Sequence, residues 1–598
     1  MLKKIFPVLK NFSFKENIFK TFQLILSLSK WWTILSVLLM LLETLTYLYS
    51  FYTFKVLINL LTENDLIEKN LIVFQLYKLV GVTIIYLVIK STCSYVVEIN
   101  AINLSKKIDK IIHEKAILLD LEFYENPSYF DTLKRAFEES VKRPIAILNN
   151  IVEIFKNTIT GIGFMSIILS VNWILIPFIV LMIIPSYFVK VYTNKRMFKW
   201  HLERTKMDRK LGYLRHVITG DIFAKELRTF DFGEKLIMMF GNLQSNIITK
   251  HFQLKRTIII LETIVAIFSS LGFILCIGYL SLSILEGNNS VGDIAMLLLA
   301  LLQTFTIMQT LTSNISQLFE NSLYISNVFE FLELNPKIVS RELEQPFQNY
   351  HLSDLIIENV SFEYPQTNKK VLDNISLKLQ FGKIVAIVGL NGSGKSTLIK
   401  LLTRLYDPSS GTIRLGKTDI RNINLQEYRK EISVVFQDFC KYNFTAGENI
   451  HLGNSVSDYD VNKVELTAQI TGADLYINAF PNKYNTMMGK IFEDGHEVSI
   501  GQWQKLAVAR ALYKTSRFLI LDEATSAIDS LAENDLITRL IKEKNKQGVV
   551  LISHRLSVIK HADYIYVLSN GRIVQEGTHT DLIAQENGSY FNQFINDI

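Results

Sequence analysis

The sequence predicts a multi-domain chain: an all-α, six-helix transmembrane domain followed by an α/β domain. Three observations predict it. Six apolar stretches fill the first half, each long enough for the roughly 20-residue helix that crosses a bilayer core. A Gly-rich turn, Gly389-Leu-Asn-Gly-Ser-Gly-Lys-Ser396, stands between the apolar run Ile384 to Val388 and a helical run, Thr397 to Leu405. Mean hydropathy is +0.22 with only 20 % charged residues, too apolar for an ordinary soluble protein. That excess sits in the first half of the chain.

The elements follow in order. Residues 1–30 mix Lys3, Lys4, Lys10, Lys15, Lys20 and Lys30 with aliphatic and aromatic residues, a pattern expected of an amphipathic segment lying on the bilayer surface. No small-residue cleavage site precedes a polar start, which argues against a secretory signal. The transmembrane domain covers 31–335, with spans near 32–61, 71–98, 145–170, 173–192, 257–285 and 291–320. The links after the first and fifth spans are short and acidic. The long links, near 100–144 and 193–256, are rich in Lys and Arg. That bias places the N-terminus, both long links and the C-terminal domain in the cytoplasm. The long links are partly helical in pattern, so the spans should extend beyond the bilayer. Charges within the apolar runs are few; Glu43 and Glu262 lie deepest and are candidate cargo contacts. Pro177 and Pro185 are candidate kinks in the fourth span. The linker is 336–349 and the second domain 350–598.

The formal charge of +6 is modest, and the basic residues lie beside apolar segments, so nucleic acid is not an expected partner. Cys93, Cys276 and Cys440 show no disulfide or metal spacing.

Chemistry concentrates in the second domain. Gly389 to Ser396 matches G-x-x-x-x-G-K-[ST], the phosphate-cradling P-loop. Gly389, Gly392 and Gly394, with Asn391 and Ser393, let backbone N–H groups approach a triphosphate. The following helix, carrying Thr397, points its positive end at the same anion. Lys395 can reach the β- and γ-phosphates and Ser396 can hold Mg²⁺. Tyr364, ending the alternating run from Leu355, can stack on an adenine. Ser433 to Gln437 reads as a strand ending in Gln437, which can join Mg²⁺ or the lytic water. Phe518 to Glu523 reads as a buried strand ending in two carboxylates. Asp522 can hold the metal, and Glu523 can deprotonate an attacking water. Gly548 to His554 is an apolar strand whose terminal His554 can contact the γ-phosphate.

These motifs, in this order, make residues 350–598 resemble the nucleotide-binding domain of an ATP-binding cassette (ABC) transporter. Residues 1–335 are similar to the membrane domain of its exporter branch. The resemblance makes Tyr364 the A-loop aromatic, Gln437 the Q-loop residue, Asp522 and Glu523 the Walker B pair, Asp529 the D-loop aspartate and His554 the switch histidine. Ser499, Gly501 and Gln502 match the signature, although Val498-Ser-Ile-Gly-Gln502 carries Ile500 where a glycine is usual. We expect Ile500 to keep ordinary helix-start geometry. The cofactors implied are ATP and Mg²⁺.

The resemblance further implies that the signature acts in trans, on ATP held by another subunit. With one P-loop and one signature, the expected assembly is a homodimer in a bacterial plasma membrane. Phe123 to Phe130 and Leu211 to Phe223 resemble the two coupling helices. Gly501-Gln-Trp-Gln-Lys-Leu-Ala-Val-Ala-Arg510 and Glu122 to Tyr129 look like those of lantibiotic exporters. No Cys precedes Cys93 and no His precedes His113, so no leader-cutting peptidase is expected. The expected cargo is an uncut bacteriocin-, lantibiotic- or lasso-like peptide. The alternatives are a multidrug or lipid exporter, and a membrane ATPase of signalling or immunity that moves nothing.

Overall fold

A computed structural model describes residues 14–62, 69–140, 142–171, 175–285, 291–338, 353–365, 367, 369–524, 535–539, 542, 547–585 and 588–590. The short acidic links and most of the interdomain linker lie outside these. The chain divides into two units. One comprises Met1–Leu119 and Asn126–Asn335; the other comprises Asp120–Glu125 and Pro336–Ile598.

The first unit is helical. Among the described residues its six long helices are Phe14–Thr62, Lys69–Leu118, Lys142–Val171, Leu175–Thr219, Gly233–Leu285 and Val291–Leu332. The second holds 50 residues and the fifth 53. At about 1.5 Å per residue, 50 residues extend about 75 Å, more than twice a bilayer core. The apolar runs are therefore the middles of longer rods, and the polar ends carry the links. The first helix packs on the second, the third on the sixth and the fourth on the fifth.

Burial in this unit follows membrane logic. Large apolar side chains such as Tyr77, Val88 and Leu275 point outward, while Ser36, Thr44, Thr304 and Ser316 are buried between helices. Small polar residues allow close backbone approach; Ser36 Oγ donates to the Trp32 carbonyl and Thr44 Oγ1 to the Met40 carbonyl, each at 2.8 Å. Phe164, Ile168, Cys276, Ala300, Leu301 and Ile307 form an apolar knot.

The first helix breaks at Ser29, whose φ of −147° and ψ of 45° are not helical. Polar groups of the second helix meet the break: Ser29 Oγ donates to Asn100 Oδ1 at 2.5 Å, and Lys107 Nζ donates to the Leu28 carbonyl. The residues before Ser29 and those after it are thus two rods joined at a hydrogen-bonded corner. Pro185 sits inside the fourth helix, which continues through it to Thr219. The expected second coupling stretch, 211–223, is therefore the tail of that helix plus a turn. A Cβ on Gly220 would lie 2.5 Å from the His216 carbonyl oxygen, so the chain turns at a glycine, and the short helix of this link follows at Ala224–Thr229.

Among the described residues the second unit has twelve strands: β1 Leu355–Glu363, β2 Lys370–Leu379, β3 Ile384–Val388, β4 Ser410–Leu415, β5 Thr418–Asp419, β6 Ile432–Val435, β7 Met487–Met488, β8 Gly495–His496, β9 Phe518–Asp522, β10 Gly548–Ile552, β11 Tyr564–Ser569 and β12 Arg572–Gly577. An antiparallel sheet runs β2-β1-β4-β5, and a six-stranded sheet runs β12-β11-β3-β10-β9-β6. In the latter, β11, β3, β10, β9 and β6 are parallel. β3, β9 and β10 are buried at every position, as expected of parallel strands covered on both faces. Leu377, Val385, Leu398, Ile413, Phe518 and Tyr566 belong to one core joining both sheets. The helix after the P-loop is Lys395–Leu402. It begins two residues earlier than the apolar pattern suggests and stops three earlier, because Arg404 turns to φ 51°. That buried guanidinium donates to the Ile423 carbonyl at 3.1 Å and to Asp407 Oδ1 at 3.2 Å.

Candidate nucleotide site

Strand order assembles the site. β3, β10, β9 and β6 are consecutive and parallel, so their C-terminal ends open on one edge, where open α/β sheets bind ligands. The P-loop leaves β3, His554 follows β10, Asp522 and Glu523 end β9, and Gln437 follows β6. Four motifs spread over 166 positions (389 to 554 inclusive) become neighbours because of pairing, not proximity in sequence.

The P-loop has the backbone its glycines permit. Gly392 and Gly394 adopt φ of 80° and 109°. A Cβ on Gly394 would fall 2.6 Å from Leu372 Cδ2, and one on Gly389 would fall 2.1 Å from the Leu568 carbonyl oxygen. Gly394 caps the following helix. Asn391 and Ser396 are exposed at this loop, while Ser393, Lys395 and Thr397 are buried. Lys395 Nζ donates to the carbonyls of Gly389 at 2.6 Å and Leu390 at 3.1 Å. Burial pulls the Lys395 ammonium below its ordinary value, against the opposing pull of Glu523 and Asp522.

Glu523 is the hub. Its carboxylate accepts from Gln437 Nε2 at 2.7 Å, and its Oε1 lies 3.0 Å from His554 Nε2. Its backbone is held as tightly: the N–H donates to the Ile552 carbonyl at 2.9 Å, and Gln504 Nε2 donates to its own carbonyl at 3.1 Å. These bonds hold Glu523 at φ 46°, a left-handed conformation costing a non-glycine residue about 1–2 kcal/mol. Strain of this kind persists where the surroundings over-determine it, most often at functional sites. The strand therefore ends at Asp522, and Glu523, which the sequence reads as its last residue, turns out of it.

Electrostatics set the pair apart. Asp522 is 4 % exposed. Burial, then the adjacent Glu523 charge, push its carboxyl up to about 6, with Lys395 opposing. Burial and the Lys395 charge lower His554, despite Glu523. A neutral imidazole near pH 7 can donate one N–H to Glu523, leaving that carboxylate able to take a proton from water. Ser396, Gln437 and Asp522 offer oxygen donors, the hard set that suits Mg²⁺.

Tyr364, just past β1, donates or accepts through its hydroxyl with Thr397 Oγ1 at 3.1 Å. The phenol thus stands beside the first turn of the P-loop helix. The signature lies elsewhere. Its helix is Ile500–Tyr513, capped by Ser499: Ser499 Oγ accepts from the Gln502 N–H at 3.2 Å, and Gln502 Oε1 accepts from the Ser499 N–H at 2.8 Å. Ile500 and Gly501 are the first two helical residues, and neither has positive φ. A glycine at 500 is not required for this geometry. Among the described residues, no hydrogen bond joins Ser499, Gly501 or Gln502 to the P-loop. Asp529 lies outside the described residues. Gln504, which holds the Glu523 carbonyl, carries no motif signal beyond its place two residues after Gln502.

Comparison with known proteins agrees with this arrangement. Residues 372–526 match the ABC transporter family. The subtilin transport ATP-binding protein SpaT of Bacillus subtilis is 31 % identical over 487 residues, 81 % of this chain and 78 % of its own. The nisin transport ATP-binding protein NisT of Lactococcus lactis subsp. lactis is 28 % identical over 569 residues, 94 % of each chain. YgaD of Bacillus subtilis (strain 168), which carries a multidrug export ATP-binding/permease name, is 28 % identical over 78 % of this chain and 79 % of its own. A bacterial Atm1-family ABC exporter solved with ATP bound shares the fold, with a TM-score of 0.78 at 21 % identity over 94 % of this chain and 97 % of that one. A P-loop, a Walker B pair and a signature helix in one unit follow six long helices, three of which are long and apolar enough to cross a membrane among the described residues, and meet relatives that match most of the chain: it belongs to the ABC transporter family, as an ATP-hydrolysing membrane translocase of the exporter type.

Proposed function

We propose that two copies of this chain export a bacteriocin-like peptide from the cytoplasm of a bacterium, using Mg·ATP. Lys395 and the P-loop amides bind the β- and γ-phosphates, and Tyr364 stacks on the adenine. Ser396, Asp522 and Gln437 hold Mg²⁺, which when bound offsets phosphate charge. Glu523 takes the proton of the attacking water, and His554 orients that carboxylate. Ser499, Gly501 and Gln502 of one copy, with its Asp529, complete the site of the other. Both termini face the cytoplasm.

The single observation behind the hydrolytic assignment is Glu523, held between Gln437 and His554 at the edge that carries the P-loop. The peptide assignment draws support from relatives named for subtilin and nisin transport over most of their length. A drug-like cargo is the second reading, because one cavity of the first unit has a drug's size. It measures about 510 Å³ and is lined by Ser186, Lys190, Asn194, Glu262, Thr312 and Glu320, among others. Cavities of that order enclose drug-sized ligands, so a peptide would enter with only a few side chains. Glu262 thus remains a candidate cargo contact. Glu43 does not: it is buried and takes a 2.6 Å ion pair from Lys156.

Inverted vesicles loaded with the wild-type chain or Glu523→Gln, and offered cationic lantibiotic-type peptides and fluorescent dyes, test the proposal. ATP-dependent peptide accumulation, lost in Glu523→Gln, is expected. Dye uptake without peptide uptake would establish the second reading, and neither uptake beside intact ATP turnover would leave an ATPase that moves no cargo.

A further inference from the structure

Six residues of the first cytoplasmic link, Asp120–Glu125, fold with the nucleotide-binding unit although the chain on either side belongs to the helical one. Asp120 accepts from the Lys337 N–H at 2.5 Å, and Lys337 Nζ lies 2.8 Å from Glu122. The last of the six, Glu125, reaches further. Its Oε1 accepts from Lys400 Nζ at 2.7 Å, and its Oε2 accepts from the Tyr406 hydroxyl at 2.5 Å. Lys400 lies on the P-loop helix. Its ammonium stands 5.3 Å from the ring centroid of Tyr364. The Tyr406 ring meets the same Tyr364 ring at 5.5 Å and 87°. One carboxylate thus grips two of the side chains that flank the aromatic beside the nucleotide loop, the third being the Phe362 ring at 5.0 Å.

We propose that Glu125 is a positioning residue for the nucleotide base: by fixing Lys400 and Tyr406 it sets the plane of Tyr364 and with it the affinity for adenine. The inference rests on the reading of Tyr364 as the adenine platform. An ammonium beside an aromatic ring is attracted to its π-system, and an anchored ammonium loses less freedom in making that contact. Burial and the hydrogen bond to Glu125 both raise the Tyr406 hydroxyl, so it stays protonated and donating. For Lys400, burial lowers the ammonium, but Glu125 and Tyr364 outweigh it and keep the charge. The six residues follow the second long helix, which ends at Leu118, with only Leu119 between. Occupation of the base platform therefore has a short covalent route into the helical unit.

The test is steady-state ATPase kinetics on the full-length chain in liposomes, for Glu125→Gln, Lys400→Met, Tyr364→Ala and the double variant Glu125→Gln/Tyr364→Ala. Glu125→Gln and Lys400→Met should each raise the KM for ATP about threefold or more, the scale of one cation–π contact. That rise should exceed any fall in kcat, and Glu125→Gln should add nothing to Tyr364→Ala. A fall in kcat at unchanged KM, or an additive double variant, would overturn the role of Glu125 while leaving the platform intact. An unchanged KM in Tyr364→Ala would remove the platform itself. Should Glu125→Gln fail to fold, Lys400→Met decides alone by the same criterion.

Discussion

Asp522 and Glu523 are adjacent in sequence and opposite in circumstance. Asp522 is buried at the end of β9, and its carboxyl is pushed up to about 6 by burial first and by Glu523 second. The sign of the consequence is fixed by that direction. Between its ordinary value of 3.8 and about 6 the folded carboxyl binds a proton that the unfolded one releases. Folding therefore gains as pH falls through that window, and at neutral pH the ionised carboxylate costs about 1–3 kcal/mol. Asp522→Asn should raise the unfolding temperature of nucleotide-free protein at pH 7.5 while abolishing hydrolysis. That gain should vanish near pH 4, where the native carboxyl is already protonated. Differential scanning calorimetry at both pH values checks it; equal gains at both would refute the burial account.

Single elements carry their own tests. The signature helix starts with a reciprocal cap between Ser499 and Gln502, a device worth about 1 kcal/mol. Ser499→Ala should therefore cost about that in stability as well as activity. Ile500 occupies an ordinary helical position and is exposed, so Ile500→Gly should leave the ATPase rate within about twofold, with a helix penalty below about 1 kcal/mol. A large rate gain on restoring glycine would show that backbone freedom at 500 matters. In the helical unit, buried Glu43 of the first helix pairs with half-buried Lys156 of the third. Removing one partner strands a charge and typically costs 3–5 kcal/mol, whereas an apolar replacement of both is often neutral (about 0). Lys156→Met should therefore lower the unfolding temperature in detergent much more than Glu43→Met/Lys156→Met does.

At the scale of the whole molecule the decisive question is whether one site draws on two chains. The signature makes no described hydrogen bond to its own P-loop, which is the arrangement expected if it serves another copy. Lys395→Ala and Ser499→Phe chains should each be inactive alone. Co-expressed, they should recover about a quarter of wild-type activity: about half the dimers are mixed, and each mixed dimer has one site free of both lesions, by the closed two-fold logic of an isologous pair. No recovery beyond the sum of the single variants would count against shared sites and point to a different partner.

How much of this was legible beforehand differs by feature. The apolar runs near 32–61 and 257–285 already announce the helices Phe14–Thr62 and Gly233–Leu285, because a bilayer needs length and hydrophobicity, which are local quantities. The P-loop was equally plain, since its glycines and lysine lie within eight residues. The corner at Ser29 was not, because it depends on Asn100 and Lys107, some 70 to 80 positions away. Nor was the difference between Glu43 and Glu262: both interrupt apolar runs, and only packing pairs one with Lys156.

The linear order of residues thus specified which chemical groups this transporter owns, that the first half is built for lipid and the second for a nucleotide. Folding alone chose which of those groups meet. The order β3-β10-β9-β6 gathers Lys395, His554, Glu523 and Gln437, bends Glu523 out of its strand and brings Glu125 beside Lys400. The reason is physical: spans and loops are encoded within a few residues, while strand neighbours and ion pairs are settled by contacts between distant segments, which no local pattern contains.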